Sequence, residues 1–195
     1  CYIYDIDGNK YIDGMAGLFL KNIGHRWPEI SQAVSEQMDA LTYVNSGAYG
    51  TIPGILAAKK LAELSPGSLN RVFFCGGGSE AVEIALKLAR QYQYIQGYPL
   101  KTKIISRRGQ YHGSTSTAMA VGNRGRQAHG IFEPFTPVAL QVDPPYCYRC
   151  PWGFEDRDNK SCCMLSVKML ENVIEGENPD TIAAFIATPI PSGNQ

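Results

Sequence analysis

The chain has 195 residues, enough for one domain with a sizeable core or for a large piece of a bigger protein. Its 44% hydrophobic and 18% charged content is that of a soluble globular protein, and no apolar run reaches the roughly 18 residues a membrane span needs. Eighteen Lys and Arg balance 18 Asp and Glu, so no net field draws the chain to nucleic acid or an anionic membrane.

The opening, CYIYDIDGNKYIDG, reads as a hairpin turning at Asp7-Gly8. Because it starts at Cys1 in a strand-like pattern and stops at Gln195 after another, both ends are expected to be cut, with any targeting segment out of view. Pro28 suits a first helical residue, and Ile30, Val34, Met38 and Leu41 repeat at helical spacing as one buried stripe. A second helix is expected over about 55–64, ending at Ser65-Pro66-Gly67.

From there strands alternate with helices. RVFF reads as a strand, CGGGSE as a glycine loop, and AVEIALKLARQYQYI as a long helix apolar on two faces. KIISRRG is a strand, YHGSTSTAMA a loop entering a helix, and PVALQV a strand. LSVKMLENVIEG is a helix closing on Gly176, and TIAAFIATPI a buried strand. This alternation predicts an α/β fold with a mostly parallel sheet covered by helices on both faces.

The glycine loop carries the strongest chemical signal. Three glycines between a strand and a helix let backbone N–H groups approach an anion, the helix start adds its positive dipole end, and Ser79 offers a hydroxyl. Gly76-x-Gly78-x-x-Ala81 also fits a dinucleotide fingerprint, which expects an acidic residue after the next strand. That strand ends instead in Ser106-Arg107-Arg108, which leaves an NADP-binding domain open as an alternative. A tight turn with nothing bound is the plainer one.

Cys147-x-x-Cys150 with Cys162-Cys163 places four thiols within 17 residues. Zinc is conceivable there, but adjacent cysteines ligate one ion poorly. Reduced thiols in a cytoplasmic setting are the expectation, with no metal.

Several segments resemble class III aminotransferases, in the family's order from end to end. VFFCGGGSEAVEIALKLAR resembles the family's strand, S-G-S-E-A turn and long helix; KIISRRGQYHGST resembles its next strand and Y-H-G motif. DIDGNKYIDGMAGLFLKNIGHRWPEI resembles its D-x-D-G-x-x-Y-I-D and G-H-x-x-P region. IAAFIATPI falls at the next core strand, and PPYCYRCPWG resembles a segment of ω-amino acid and taurine-type members.

The resemblance implies the large domain of a fold type I pyridoxal 5'-phosphate (PLP) transferase, a three-layer α/β/α arrangement incomplete over residues 51–195. Residues 1–50 would be an N-terminal hairpin and helix contributing to the small domain and a dimer contact. It further implies transamination of an amine or ω-amino acid with a keto acid such as pyruvate, in a homodimer. Gly77, Gly78 and Ser79 would hold the cofactor phosphate, Tyr111 would lie over its ring, and His112 would orient a neighbour. Phe19 would face the substrate pocket; Tyr43 and Thr188 would lie near it.

Two positions depart from the family. Gly76 and Gly77 replace its Asn and Ser, removing a hydroxyl donor, and Thr188 stands where Glu precedes Pro189. None of the nine lysines lies in a Schiff-base motif. The family's lysine and its pyridine-binding Asp are expected beyond Gln195, so the 195 residues alone should not complete a cycle. A non-catalytic relic or assembly fragment of the same fold is the second reading.

Overall fold

The structure is a computed structural model and describes residues 1–122, 139–154, 162 and 164–190. The chain divides into two compact units, Cys1–Val72 and Phe73–Gln195, so the second helix lies in the first unit.

The first unit opens with β1 (Tyr2–Tyr4) and β2 (Lys10–Ile12), antiparallel with Tyr2 opposite Ile12. Gly8 takes φ +84° at the turn, a region that glycine enters without strain. The Asp5 carboxylate closes this turn by accepting from the amides of Asp7 and Asn9, the Asn9 side chain and the Tyr11 hydroxyl, at 2.8–3.1 Å. The Asn9 bond, above all, holds the Asp5 carboxyl below its ordinary pKa.

After α1 (Ala16–Phe19) come α2 (Pro28–Ala40) and α3 (Ile52–Leu64). Pro28 starts α2 as expected. Thr51 caps α3, its Oγ1 accepting from the Gly54 amide at 3.2 Å. The expected buried stripe of α2 is not buried: Ile30, Val34, Met38 and Leu41 are all exposed. The first three line an open groove of about 700 Å³ with Pro53. Helical spacing gathers apolar residues on one face, but burial also needs an opposing surface, and this unit supplies none.

In the second unit, α4 (Gly78–Ile95), β3 (Lys103–Arg107), α5 (Ser116–Val121), β4 (Leu140–Val142), α6 (Leu165–Gly176) and β5 (Ile182–Ile186) follow in turn. The sheet order is β4-β3-β5, parallel throughout, as the alternation of strands and helices implied. β3 is central, with Ile105 and Ser106 fully buried. Leu86 of α4, Val121 of α5 and Ala139 form the core with Val82, Ile104 and Ile186. Gln93 joins α4 to β5 through the Ala183 carbonyl at 3.1 Å.

Two expectations fail here. Residues 71–74 form no strand, and Phe73 and Phe74 are exposed, because among the described residues no strand pairs with them. On α4 only the Val82, Leu86 and Ala89 side turns inward; Leu88 and Tyr92 on the other stripe are exposed. The predicted strand over 137–142 is seen only in its described end, Leu140–Val142.

Candidate active site

The start of α4 is built as an anion-binding end. Gly77 is the N-cap in extended backbone, and the first intrahelical bond runs from the Ala81 amide to the Gly77 carbonyl at 3.0 Å. The amides of Gly78, Ser79 and Glu80 precede that bond and point out of the helix end. A Cβ added at Gly77 or Gly78 would meet nothing within 4 Å, so the space in front is open. One loop donor is already used: the Gly76 amide donates to Glu80 Oε2 at 2.7 Å.

Ser79 holds a second loop. Its Oγ accepts from the Ser114 amide at 3.0 Å, which leaves its own proton available to an outside acceptor. One turn further, Glu83 Oε1 accepts from Thr115 Oγ1 at 2.7 Å and from the amides of Thr117 and Ala118 at 2.9 and 3.2 Å. Burial pushes the Glu83 carboxyl up, but these bonds outweigh it and hold the group below its ordinary pKa. Ser79 and Glu83 are four apart, so one face of α4 grips the loop that enters α5.

That loop carries Tyr111, His112 and Gly113. Gly113 sits at φ +143°, and a Cβ there would fall 2.7 Å from Ala118 Cβ and 2.8 Å from Ser79 Oγ. Only glycine fits so close to Ser79. His112 is 8% exposed, and its buried Nε2 has no hydrogen-bond partner among the described residues. Burial lowers its pKa, so it is neutral at pH 7. The Tyr111 ring is exposed. The structure thus brings Gly113 and Ser114 against Ser79 through close packing and a hydrogen bond, with His112 the preceding residue of the same loop.

Sequence reasoning missed two members. Gln110, 2% exposed, donates from Nε2 to the Thr188 carbonyl at 3.0 Å and accepts the Thr188 amide at Oε1 at 2.8 Å. Glu83 was missed too, although its i,i+4 spacing from Ser79 is readable in the sequence. Gln110 leaves no local signal, since Thr188 is 78 residues away.

Phe19 and Tyr43 lie in the first unit, both exposed. Phe19 ends α1, whose residues Ala16, Gly17, Leu18 and Phe19 have φ of 50–68°, a left-handed turn that side chains adopt under strain. Asp13 anchors this turn, accepting from the amides of Met15 and Gly17 and pairing with His25 Nε2 at 2.9 Å. The His25 bond is the main cause of a lowered Asp13 pKa.

The arginines on which a dinucleotide reading relied are engaged elsewhere. Arg108 pairs with Asp143 at 2.9 Å, and the Arg107 guanidinium lies 5.6 Å from the Phe185 ring centre. Cys147, Cys150 and Cys162 line a cavity of about 280 Å³ beside Arg107 and Trp152. Among the described residues no three His, Cys, Asp or Glu are arranged to hold a metal ion. Cys163 lies outside the described residues.

The class-III aminotransferase family model matches residues 1–194. The chain is 39% identical to adenosylmethionine-8-amino-7-oxononanoate aminotransferase of Methanocaldococcus jannaschii, over 89% of this chain and 38% of that protein. It is 34% identical to putrescine–pyruvate aminotransferase of Pseudomonas aeruginosa, over 97% of this chain and 41% of that protein. The fold superposes on an (S)-enantioselective omega-transaminase from Thermomicrobium roseum with TM-score 0.90 and 37% identity, covering 97% of this chain and 42% of that one. An amine transaminase of an uncultivated Pseudomonas species, in its PLP-bound form, gives 0.87 and 34%, covering 97% and 43%. The chain therefore spans about 40% of the length of the relatives it matches. With the family model matched over residues 1–194 and the fold shared with a solved omega-transaminase, the chain belongs to the class-III aminotransferases.

Proposed function

We propose that the protein containing this chain transfers an amino group between an amine or ω-amino acid and a keto acid such as pyruvate, with PLP as cofactor. The observation that carries this reading is Ser79, whose hydroxyl is oriented by the Ser114 amide at the open, amide-rich end of α4. The residues present fit a phosphate monoester: up to three outward amides, a helix dipole and one directed hydroxyl. Bound there, the cofactor would supply an electron sink for the amino-bearing carbon as that carbon gives up its proton.

The chain's own residues bind and orient. Gly77, Gly78 and Ser79 hold the phosphate. The Tyr111 face covers the ring and excludes water from it. His112, neutral and with a buried Nε2 that no described residue engages, supplies a hydrogen bond to a polar neighbour of the ring. Phe19 contacts substrate, while Tyr43 and Thr188 lie near its path. The setting in this reading is a cytoplasmic homodimer without nucleic acid or metal; the uncovered apolar faces of the first unit favour a second copy. Among the described residues no helix is long and apolar enough to cross a membrane.

The test is cofactor affinity in the full-length protein. Ser79→Ala should weaken PLP binding by about tenfold to a hundredfold, the range for one hydrogen bond to a charged group. Cys75→Ala should change little. Equal affinities for both variants and the wild type would remove α4 from the cofactor site. A full-length protein that binds no PLP would favour the non-catalytic reading, to which Thr188 at the usual Glu position lends its one specific support.

A further inference from the structure

The pairing of β3 with β5 ends at Ser106 opposite Ile186. Beyond it the chain after β3 turns through Gly109, at φ +75°, and the two backbones no longer pair. The Gln110 side chain restores one more rung. Its amide donates to the Thr188 carbonyl and accepts from the Thr188 amide, as a peptide unit of a neighbouring strand would. Only one orientation of the amide satisfies both groups, since the reverse would oppose two donors and two acceptors.

The other side of Gln110 is equally confined. A Cβ on Gly122, at the end of α5, would lie 3.2 Å from the Gln110 carbonyl oxygen and 3.4 Å from the His112 amide nitrogen. The backbone over 110–112 is thus wedged between the end of α5 and the segment after β5. Tyr111 and His112 follow directly, and the carboxyl ends of parallel strands are where α/β sheets place their ligands.

We infer that Gln110 is a positioning residue of the cofactor site, joining the two strand-end loops into one wall that sets Tyr111, His112 and Thr188. The inference rests on the PLP reading above. Gln110 acts through the Thr188 backbone and through its chain neighbours.

The experiment compares wild type, Gln110→Glu, Gln110→Met and Ser79→Ala in the full-length protein. It measures the PLP dissociation constant against pH from the absorbance of bound cofactor, with circular dichroism to follow folding. At neutral pH the Glu variant still accepts the Thr188 amide but opposes the Thr188 carbonyl without a proton. Its affinity should fall about fivefold to tenfold, the effect of one hydrogen bond. As the pH falls and that buried carboxyl takes a proton, the donor returns, and the ratio of variant to wild-type affinity should recover. His112, two residues away, titrates in every variant and responds to a carboxylate at 110, so the acid recovery is read against Gln110→Met, which carries His112 without that carboxylate.

The Met variant keeps the length but neither bond, and should bind weakly with no such recovery. A purely structural role would move the unfolding midpoint without this acid recovery. If the Met variant fails to fold, the Glu profile alone decides. Folded Gln110 variants that bind PLP as the wild type does, while Ser79→Ala binds weakly, would overturn the clamp and leave the cofactor reading intact. A wild type that binds no PLP overturns both.

Discussion

The first unit, Cys1–Val72, and the second, Phe73–Gln195, are held together at different distances along the chain. In the first, the side-chain hydrogen bond that spans most of the chain among the described residues joins Asp13 to His25, 12 residues apart, and the others span two to six. In the second, Glu83 reaches Thr115 across 32 residues, Gln110 reaches Thr188 across 78, and Gln93 reaches Ala183 across 90. The first unit buries Gly24 alone, whereas the second buries Leu86, Ile105, Val121, Val142 and Ala183. Local turn, cap and proline signals suffice to shape elements in the first. A core, and with it the candidate site, forms only where elements distant in sequence meet.

A pair of Ile→Ala substitutions, one in each unit, presses this contrast hardest. Ile105→Ala, at a fully buried position of β3, should destabilise the chain by about 2–5 kcal/mol, whereas Ile30→Ala on exposed α2 should stay within about 0.5 kcal/mol. Urea unfolding of the 195-residue chain measures both, and similar losses at the two positions would erase the distinction.

The next largest effect concerns Glu83. Replacing it with Ala strands the Thr117 and Ala118 amides at the start of α5 and should cost about 1.5–3 kcal/mol. Because the folded pKa of Glu83 lies below its ordinary value of 4.5, its contribution is complete above that value. It is lost as the pH falls through the lowered folded value. Wild type should therefore shed stability in acid that Glu83→Ala has already lost, and parallel pH curves for the two would refute the cap.

The smallest effect belongs to the first unit. Thr51→Ala removes the cap of α3 and should cost about 1 kcal/mol, seen as faster amide exchange in that helix with no change at β3. Exchange quickening in both units would mean that they do not differ in the way described.

Legibility in the sequence followed the same division. The Asp7-Gly8 turn, the start of α2 at Pro28 and the closing of α6 at Gly176 were all readable, because each depends on residues within a turn of one another. The strands β3 and β5 were readable from their apolar runs, and the helix after the glycine loop from its period. Residues 71–74 carry an apolar run but form no strand, because such a run states a preference, while a strand also needs a partner. Which stripe of α4 turns inward was likewise invisible, since both are apolar. The left-handed turn at Ala16–Phe19 has only Gly17 to announce it. Of the site, the glycine loop, Ser79 and the Tyr111-His112-Gly113 segment were legible from family-like motifs. The grips of Glu83 and Gln110 were not, because they arise from folding together residues far apart in the chain.

The proposed contact between Ser79, at the head of α4, and the cofactor phosphate has a direct test. Dissociation constants for PLP and for pyridoxal, which lacks the phosphate, should be measured on full-length wild type and Ser79→Ala. Ser79→Ala should weaken PLP by about tenfold to a hundredfold and leave pyridoxal nearly unchanged, because the hydroxyl has no phosphate to meet. An equal loss for both compounds would place Ser79 elsewhere than at the phosphate and contradict the account.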